Sequence, residues 1–266
     1  MNKQSSQWFI PIVLAAAAGL ALWYYWSQLK STPAPAPPAP QPVAEAPAEL
    51  PGPLHPMESR EEPEDRPELV PLPPLGESDE YFKLEVVGLF GNVIENLLVE
   101  SRLIERVVAT VDNLPRDHIA ERIRPVGRLD NPFIVDGQDG SGEFTISTSN
   151  YRRYDALVGI VTSANLQDVT DVYRRFYPLL QKAYVDLGYP DGYFNDRLVA
   201  VIDHLLETPQ VTGPVALVRP HVLYEYQDPA LEALSSGQKL LIRMGNDNAD
   251  AVKRTLRELR AYVTTM

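Results

Sequence analysis

Apolar residues run almost unbroken from Trp8 to Trp26, WFIPIVLAAAAGLALWYYW, before any helical alternation begins. As a helix rising ~1.5 Å per residue, these 19 uncharged positions span ~28 Å, about one hydrocarbon core. Trp8 and Phe9 at one end, with Trp23, Tyr24, Tyr25 and Trp26 at the other, put amphipathic rings where the two headgroup layers lie. Pro11 falls in the first turn, where a missing N–H costs little. The pattern predicts a transmembrane helix over 8–26 behind a short N-terminal segment, 1–7. A cleaved signal peptide is the competing reading, since Gly19-Leu20-Ala21 fits a small-x-small site. Only Lys3 and the amino terminus would supply its charged region, and cleavage would leave LWYYW at the new terminus, so the uncleaved anchor is preferred. Lys3 and the α-amine precede the span while only Lys30 closely follows it, which predicts the N-terminus inside and the bulk outside. Ala15-x-x-x-Gly19 would let two such helices pack closely, although a run of four alanines produces that spacing by composition alone.

From residue 27 to 77 the helical period vanishes. Proline alternates with alanine or an acid, and 15 of the 25 prolines fall between Ser31 and Ser78. Such a segment buries too little apolar surface to offset its ordering entropy, which predicts a disordered Pro/Ala/Glu-rich linker. In polyproline II geometry its length would reach up to ~140 Å, so it reads as a tether.

A 3.6-residue period takes over at Ser78 and defines a globular domain over 78–266. Ser78 is the predicted cap of a helix bearing Leu84, Val87, Gly91, Ile94 and Leu98 on one face. A second stripe follows at Leu103, Val107, Val111 and Leu114, closed by Pro115. Phe133–Val135 and Glu143–Ser147 predict a short hairpin around DGQDGSG, and Asn150 the cap of a helix through Leu157 and Ile160. The longest stripe runs from Leu166 to Leu187 with Pro178 inside it and Gly188 as its stop. Asn195 or Asp196 is the predicted cap of the next helix, with Leu198, Ile202 and Leu205 inward. Two strands, Val215–Val218 and Val222–Tyr226, precede a turn at Asp228-Pro229, a brief helix over Gln238–Met244 and a last helix carrying Val252, Leu256, Leu259 and Val263. The expected fold class is mainly α (α+β), a helical domain with a small amount of antiparallel sheet.

Composition narrows the chemistry. The net charge is −12, from 24 Lys+Arg against 36 Asp+Glu, which makes the domain a poor binder of nucleic acid. No cysteine is present, excluding a disulfide scaffold, a thiolate metal site and a cysteine nucleophile. HExxH, GxSxG and GxxxxGK[ST] are all missing. The loop Asp136–Glu143 lacks the oxygen ligand that a calcium loop needs at its fifth position, Gly140. Lys253, Arg254, Arg257 and Arg260 are expected on the outward side of the last helix.

Candidate binding residues concentrate in two places: Tyr151, Arg152, Arg153 and Asp155, and the segment Tyr189, Asp191, Tyr193, Asn195, Asp196, Arg197 and His204. Asp203 and His204 are neighbours on a helix, ~100° apart, so they point in different directions. A structural account is open beside the chemical one: Pro190-Asp191-Gly192 as a turn needing positive φ, Asn195 or Asp196 as a cap and Arg197 as a carboxylate partner.

The stretches LPPLGESD (Leu72–Asp79), ATVDNLP (Ala109–Pro115), YRRYDALV (Tyr151–Val158), GYPDGYFNDRL (Gly188–Leu198), VIDHLL (Val201–Leu206), VLYEYQDPALEALSSGQKLLIRMG (Val222–Gly245) and LRELR (Leu256–Arg260) resemble the bacterial domain of unknown function 3014 family. The similarity covers about Pro71–Tyr262, and an anchor followed by a proline-rich spacer resembles that family's usual arrangement. It implies a fold unit and supplies no catalytic residue, cofactor or metal. In a bacterial cell the predicted orientation makes this a single-pass inner-membrane protein with a cytoplasmic N-terminus and a periplasmic domain. Its expected partners are the membrane, through residues 8–26, and another protein of the cell envelope. A non-enzymatic interaction or scaffold module is the expected function. The alternative is a tethered hydrolase or metal- or ligand-binding enzyme with its site around Asp191–His204.

Overall fold

The computed structural model describes residues 52–57, 71–127, 132–137 and 143–265, all within one compact unit, Leu50–Met266. The predicted span at 8–26 and most of the predicted linker lie outside the described residues, among which no helix is long and apolar enough to cross a membrane. The described helices are α1 (Asp79–Phe90), α2 (Leu103–Asn113), α3 (Ser149–Ser163), α4 (Leu166–Asp186), α5 (Phe194–Leu206), α6 (Pro229–Glu232), α7 (Ser236–Arg243) and α8 (Asn246–Thr264). Four short strands, β1 (Val135–Gly137), β2 (Phe144–Ile146), β3 (Ala216–Val218) and β4 (Glu225–Tyr226), form an antiparallel sheet in the order β1-β2-β3-β4. This is the mainly helical α+β class that the periodicities predict.

Helix α4 is the spine. The side chain of Asn165 caps it by accepting from the Gln167 amide, and Pro178 lies inside it. Its inward stripe of Phe176, Leu180, Ala183 and Tyr184 packs against Ile104 and Val108 of α2 and Phe194 of α5. A second cluster joins Tyr154 and Val158 of α3, Val201 and Leu205 of α5, Leu241 and Met244 of the α7 end, and Ala249 of α8. The sheet buries Phe144, Ile146, Leu217 and Tyr226 against Ile242 of α7, with Val135 paired to Ile146 and Phe144 to Leu217.

Local detail departs from the sequence pattern in several places. Helix α1 stops at Phe90, where the Gly91 amide closes the last turn on the Val87 carbonyl, so the single helix expected through Leu98 is two segments. Ile94 is still buried, but in a turn, and Leu98 instead makes a β-bridge with Val126. Leu84 is left 66% exposed. Asn150 does not cap α3, whose cap position is Thr148. Fully buried, the Asn150 carboxamide accepts from the Ile134 amide at 3.0 Å and donates to the Ser147 carbonyl at 2.9 Å, tying the hairpin to the helix. Lys253 is buried rather than outward, its ammonium donating to the Thr208 carbonyl, and Arg260 is paired with Asp203; Arg254 and Arg257 are exposed as expected.

Ordered structure also reaches into the predicted linker. A 3-10 turn at Leu75–Glu77 buries Leu75 beside Phe176 and Leu180, so the folded unit begins near Leu72. Farther upstream, residues Gly52–Met57 lie on the domain and are held there by hydrogen bonds.

Candidate functional site

The segment Gly188–Leu198 links the end of α4 to the start of α5, and the side chains of Tyr189, Asn195, Asp196 and Arg197 in it are all hydrogen-bonded. Gly192 closes a turn by donating to the Tyr189 carbonyl at 3.1 Å. Its φ is not positive, which corrects the expected reason for glycine here: a Cβ at this position would lie 2.9 Å from Cε1 of Tyr184. Tyr184 in turn stacks on Tyr189, with centroids 4.6 Å apart.

Neither Asn195 nor Asp196 caps α5. Tyr193 holds the cap position in extended conformation, and Gln181, reaching from α4, accepts from the Phe194 amide at 2.8 Å while donating to the Gly192 carbonyl at 2.7 Å. With the helix end served from outside, Asn195 and Asp196 are free for other work. Asn195 is fully buried; its Oδ1 accepts from the Tyr173 hydroxyl at 3.1 Å and its Nδ2 donates to the carbonyls of Val263 and His55, both at 3.0 Å. Asp196 accepts from two successive amides, Leu54 at 2.9 Å and His55 at 2.7 Å. Burial pushes the Tyr173 hydroxyl well above the ordinary tyrosine value, with Tyr177 and Asp196 adding to the shift. It therefore stays protonated and fixes the Asn195 carboxamide with its nitrogen toward the two carbonyls.

Arg197 and Tyr189 serve a different centre. Asp112 of α2, 2% exposed, accepts from Arg197 Nε at 2.9 Å, from Arg116 Nη2 at 2.8 Å and from the Tyr189 hydroxyl at 3.2 Å. Arg197 also donates to the Asp112 carbonyl at 2.7 Å. With these donors the buried Asp112 joins α2, the turn and α5. Asp112 and Gln181 are absent from the sequence-predicted set. The signal for Asp112 was its place four residues after Val108 on the inward face of α2; Gln181 gave none.

The remaining predicted residues lie elsewhere. Asp203 forms a two-pronged pair with Arg260 at 2.5 and 2.9 Å, while His204 Nε2 is 2.8 Å from Ser235 Oγ, the cap of α7. The two neighbours point apart as expected. Tyr151 packs its ring against Gly245, and Asn248 donates to both the Tyr151 carbonyl and the Asp155 carboxylate. Arg153 donates to Asn150, and Arg152 and Asp191 are exposed. Tyr151 and Asp155 thus meet α8 at Asn248 and Asn195 meets it at Val263, 15 residues apart or ~22 Å along the helix, so the two predicted clusters do not share a site. A shallow recess of about 330 Å³ lies between Val211, Pro214, Val215, Gln227, Asp228 and Leu231 and includes none of them. Among the described residues no group of three His, Asp or Glu side chains is placed to hold a metal ion.

Every stretch that carries the family resemblance except the first, Leu72–Asp79, lies between residues 103 and 260. The family model described as "Protein of unknown function (DUF3014)" matches residues 103–260, more than half of the 266-residue chain. The chain belongs to this family. Matched within the family unit are α2 and its Asp112, the α4–α5 junction, the sheet and all but the last turn of α8, whereas α1 and the Gly52–Met57 segment lie before it. No curated protein and no solved structure matches the chain.

Proposed function

We propose that this family member is a single-pass inner-membrane protein whose helical domain sits in the periplasm and docks on another protein of the cell envelope, without catalysing a reaction. The observation that supports this best is the use made of Asn195 and Asp196. The Asp196 carboxylate and the Asn195 amide nitrogen are turned onto the main chain of a bend, Leu54-His55, rather than toward a cavity. A surface that grips the main chain of a separate segment by hydrogen bonds is the working part of a docking module. The apolar run at 8–26, its aromatic ends and the Lys3 bias support the anchor and its direction.

The alternative, a hydrolase or metal-dependent enzyme around Asp191–His204, needs polar groups that converge on one reacting atom. Here Asp191 is exposed, Asp196 faces the Leu54 amide, Asp203 faces Arg260 and His204 faces Ser235. Complementation of a gene deletion by Asp203→Asn and His204→Ala chains separates the two. The docking reading expects both to restore the wild-type phenotype whenever they melt near the wild-type temperature. Full stability with complete loss of complementation sinks it in favour of a chemical site.

A further inference from the structure

The grip of Asp196 on two successive amides has a counterpart in the same molecule. Asp79 accepts from the Arg102 amide at 2.6 Å and the Leu103 amide at 2.7 Å, but those two amides open helix α2, and the contact completes a secondary-structure element. Leu54 and His55 open no element. They belong to Gly52-Pro53-Leu54-His55-Pro56-Met57, in which proline removes the amides of positions 53 and 56. Between the two prolines the only donors are Leu54 and His55, and one carboxylate takes both. The carbonyl of His55 is taken by Asn195. Side-chain exposure alternates along the segment: Pro53, His55 and Met57 are half-buried, whereas Leu54 is 82% exposed and Pro56 is exposed. Leu54 and His55 form a bend, which is what turns their two successive amides toward one carboxylate; in an extended strand they would point to opposite sides.

We propose that Asn195 and Asp196 form a recognition site for a proline-bracketed bend that presents two successive amides, and that the chain's own Gly52–Met57 segment is its resident ligand. The site is built before the segment arrives: Tyr173 and the Val263 carbonyl fix the Asn195 carboxamide, and Gln181 holds the helix end that carries both residues. The ligand is restricted too, because Pro53 and Pro56 fix φ at their own positions and narrow the backbone choices of Gly52 and His55 before them. Both features cut the ordering cost of binding. Amide and carbonyl contacts read the backbone and the proline spacing, while the inward side chains at 53, 55 and 57 read sequence. Residues 58–70 join the ligand to the domain, so it binds from within the same chain at an effective concentration on the order of millimolar. A segment of the same form on another protein binds only by displacing it. This rests on the docking-module reading and names the ligand class of that module.

The test uses the full-length chain and, as probe, a fluorescent synthetic peptide of residues 49–59. Leu54→Pro together with His55→Pro removes both amide donors from the resident segment and leaves the domain side of the site untouched. This chain is expected to bind the probe at least ~10-fold more tightly than the wild-type chain, whose site is filled. Adding Asp196→Ala to the opened chain is expected to weaken the probe at least ~10-fold, and a probe N-methylated at the two matching amides is expected not to bind. Equal probe affinity for the wild-type and opened chains, or no effect of Asp196→Ala, overturns the proposal. Hydrogen exchange guards against misfolding: in the wild-type chain the Leu54–His55 peptide is protected, and Asp196→Ala must lose that protection while α4 and α5 keep theirs. Failure here leaves the complementation result for Asp203 and His204 standing, and failure there leaves probe binding intact, so the two ideas fall separately.

Discussion

Arg197 on α5 holds Asp112 on α2 by both ends of the residue, with Nε 2.9 Å from the carboxylate and Nη2 2.7 Å from the main-chain carbonyl. Because Asp112 is 2% exposed, its charge has little recourse to water if this partner is lost. Arg197→Ala is expected to destabilise the domain by ~3 kcal/mol, with Arg116 left as the only ion-pair partner among the described residues. Arg197→Lys is expected to recover part of that, since a single ammonium does not reproduce the fork. Urea unfolding of the two variants measures it, and a wild-type midpoint for Arg197→Ala would show that the pin carries no weight.

Gly192 offers a test of steric cause. An alanine there places its Cβ 2.9 Å from the Tyr184 ring, which is stacked on Tyr189, so the ring pair has to shift. Gly192→Ala is expected to cost ~1 to 3 kcal/mol as an overpacked site. The cost should fall when Tyr184→Leu is present as well; equal costs in both backgrounds would show that contact with the Tyr184 ring is not the cause.

The domain boundary is testable by truncation. Leu75 is buried against Phe176 and Leu180, and Ser78 is fully buried with its hydroxyl on the Leu75 carbonyl. A fragment beginning at Pro71 is expected to melt in one cooperative step and to be more stable than one beginning at Asp79. Leu75→Ala in the longer fragment should cost ~2 to 3 kcal/mol. Identical melting of the two fragments would place the boundary at Asp79 after all.

Asp203 carries a pH signature. The hydrogen bond from Arg260 holds its carboxyl below the ordinary value of 3.8, opposed by partial burial. A depressed carboxylate contributes stability above its unfolded value and loses it as the pH falls through the folded value, so the window lies at and below pH 3.8. With side chains 46% and 39% exposed, the pair is solvent-screened and its contribution is small. Asp203→Asn is expected to lower the melting temperature slightly at neutral pH and not at all well below pH 3.8, the gap shrinking further in high salt. A gap that widens on acidification contradicts the pairing.

The membrane assignment is checked by alkaline carbonate extraction and N-terminal sequencing of the mature protein. The full-length chain is expected in the pellet with Met1 or Asn2 at its start. A soluble chain, or a mature terminus near Leu22, would replace the anchor by a cleaved signal peptide.

The sequence by itself determined the features that arise within a few residues of one another. Stripes at 3.6-residue spacing placed α2, α4, α5 and α8, because burying one helix face needs only the local order of apolar residues. The Asp228-Pro229 turn and the hairpin from β1 to β2 were equally local: Asp228 accepts from the Ala230 amide two positions on. What the chain does with its polar residues was decided by tertiary structure. Asn150, Asn195 and Asp196 all sit where an Asn or Asp commonly caps its own helix, yet Gln181 took the cap of α5 from a neighbouring helix and released Asn195 and Asp196 to bind Leu54 and His55. Asp196 and Leu54 are 142 residues apart in sequence. The physical reason is that a carboxylate satisfies itself with whichever donors packing brings within 3 Å, and near neighbours in sequence hold no priority over distant ones.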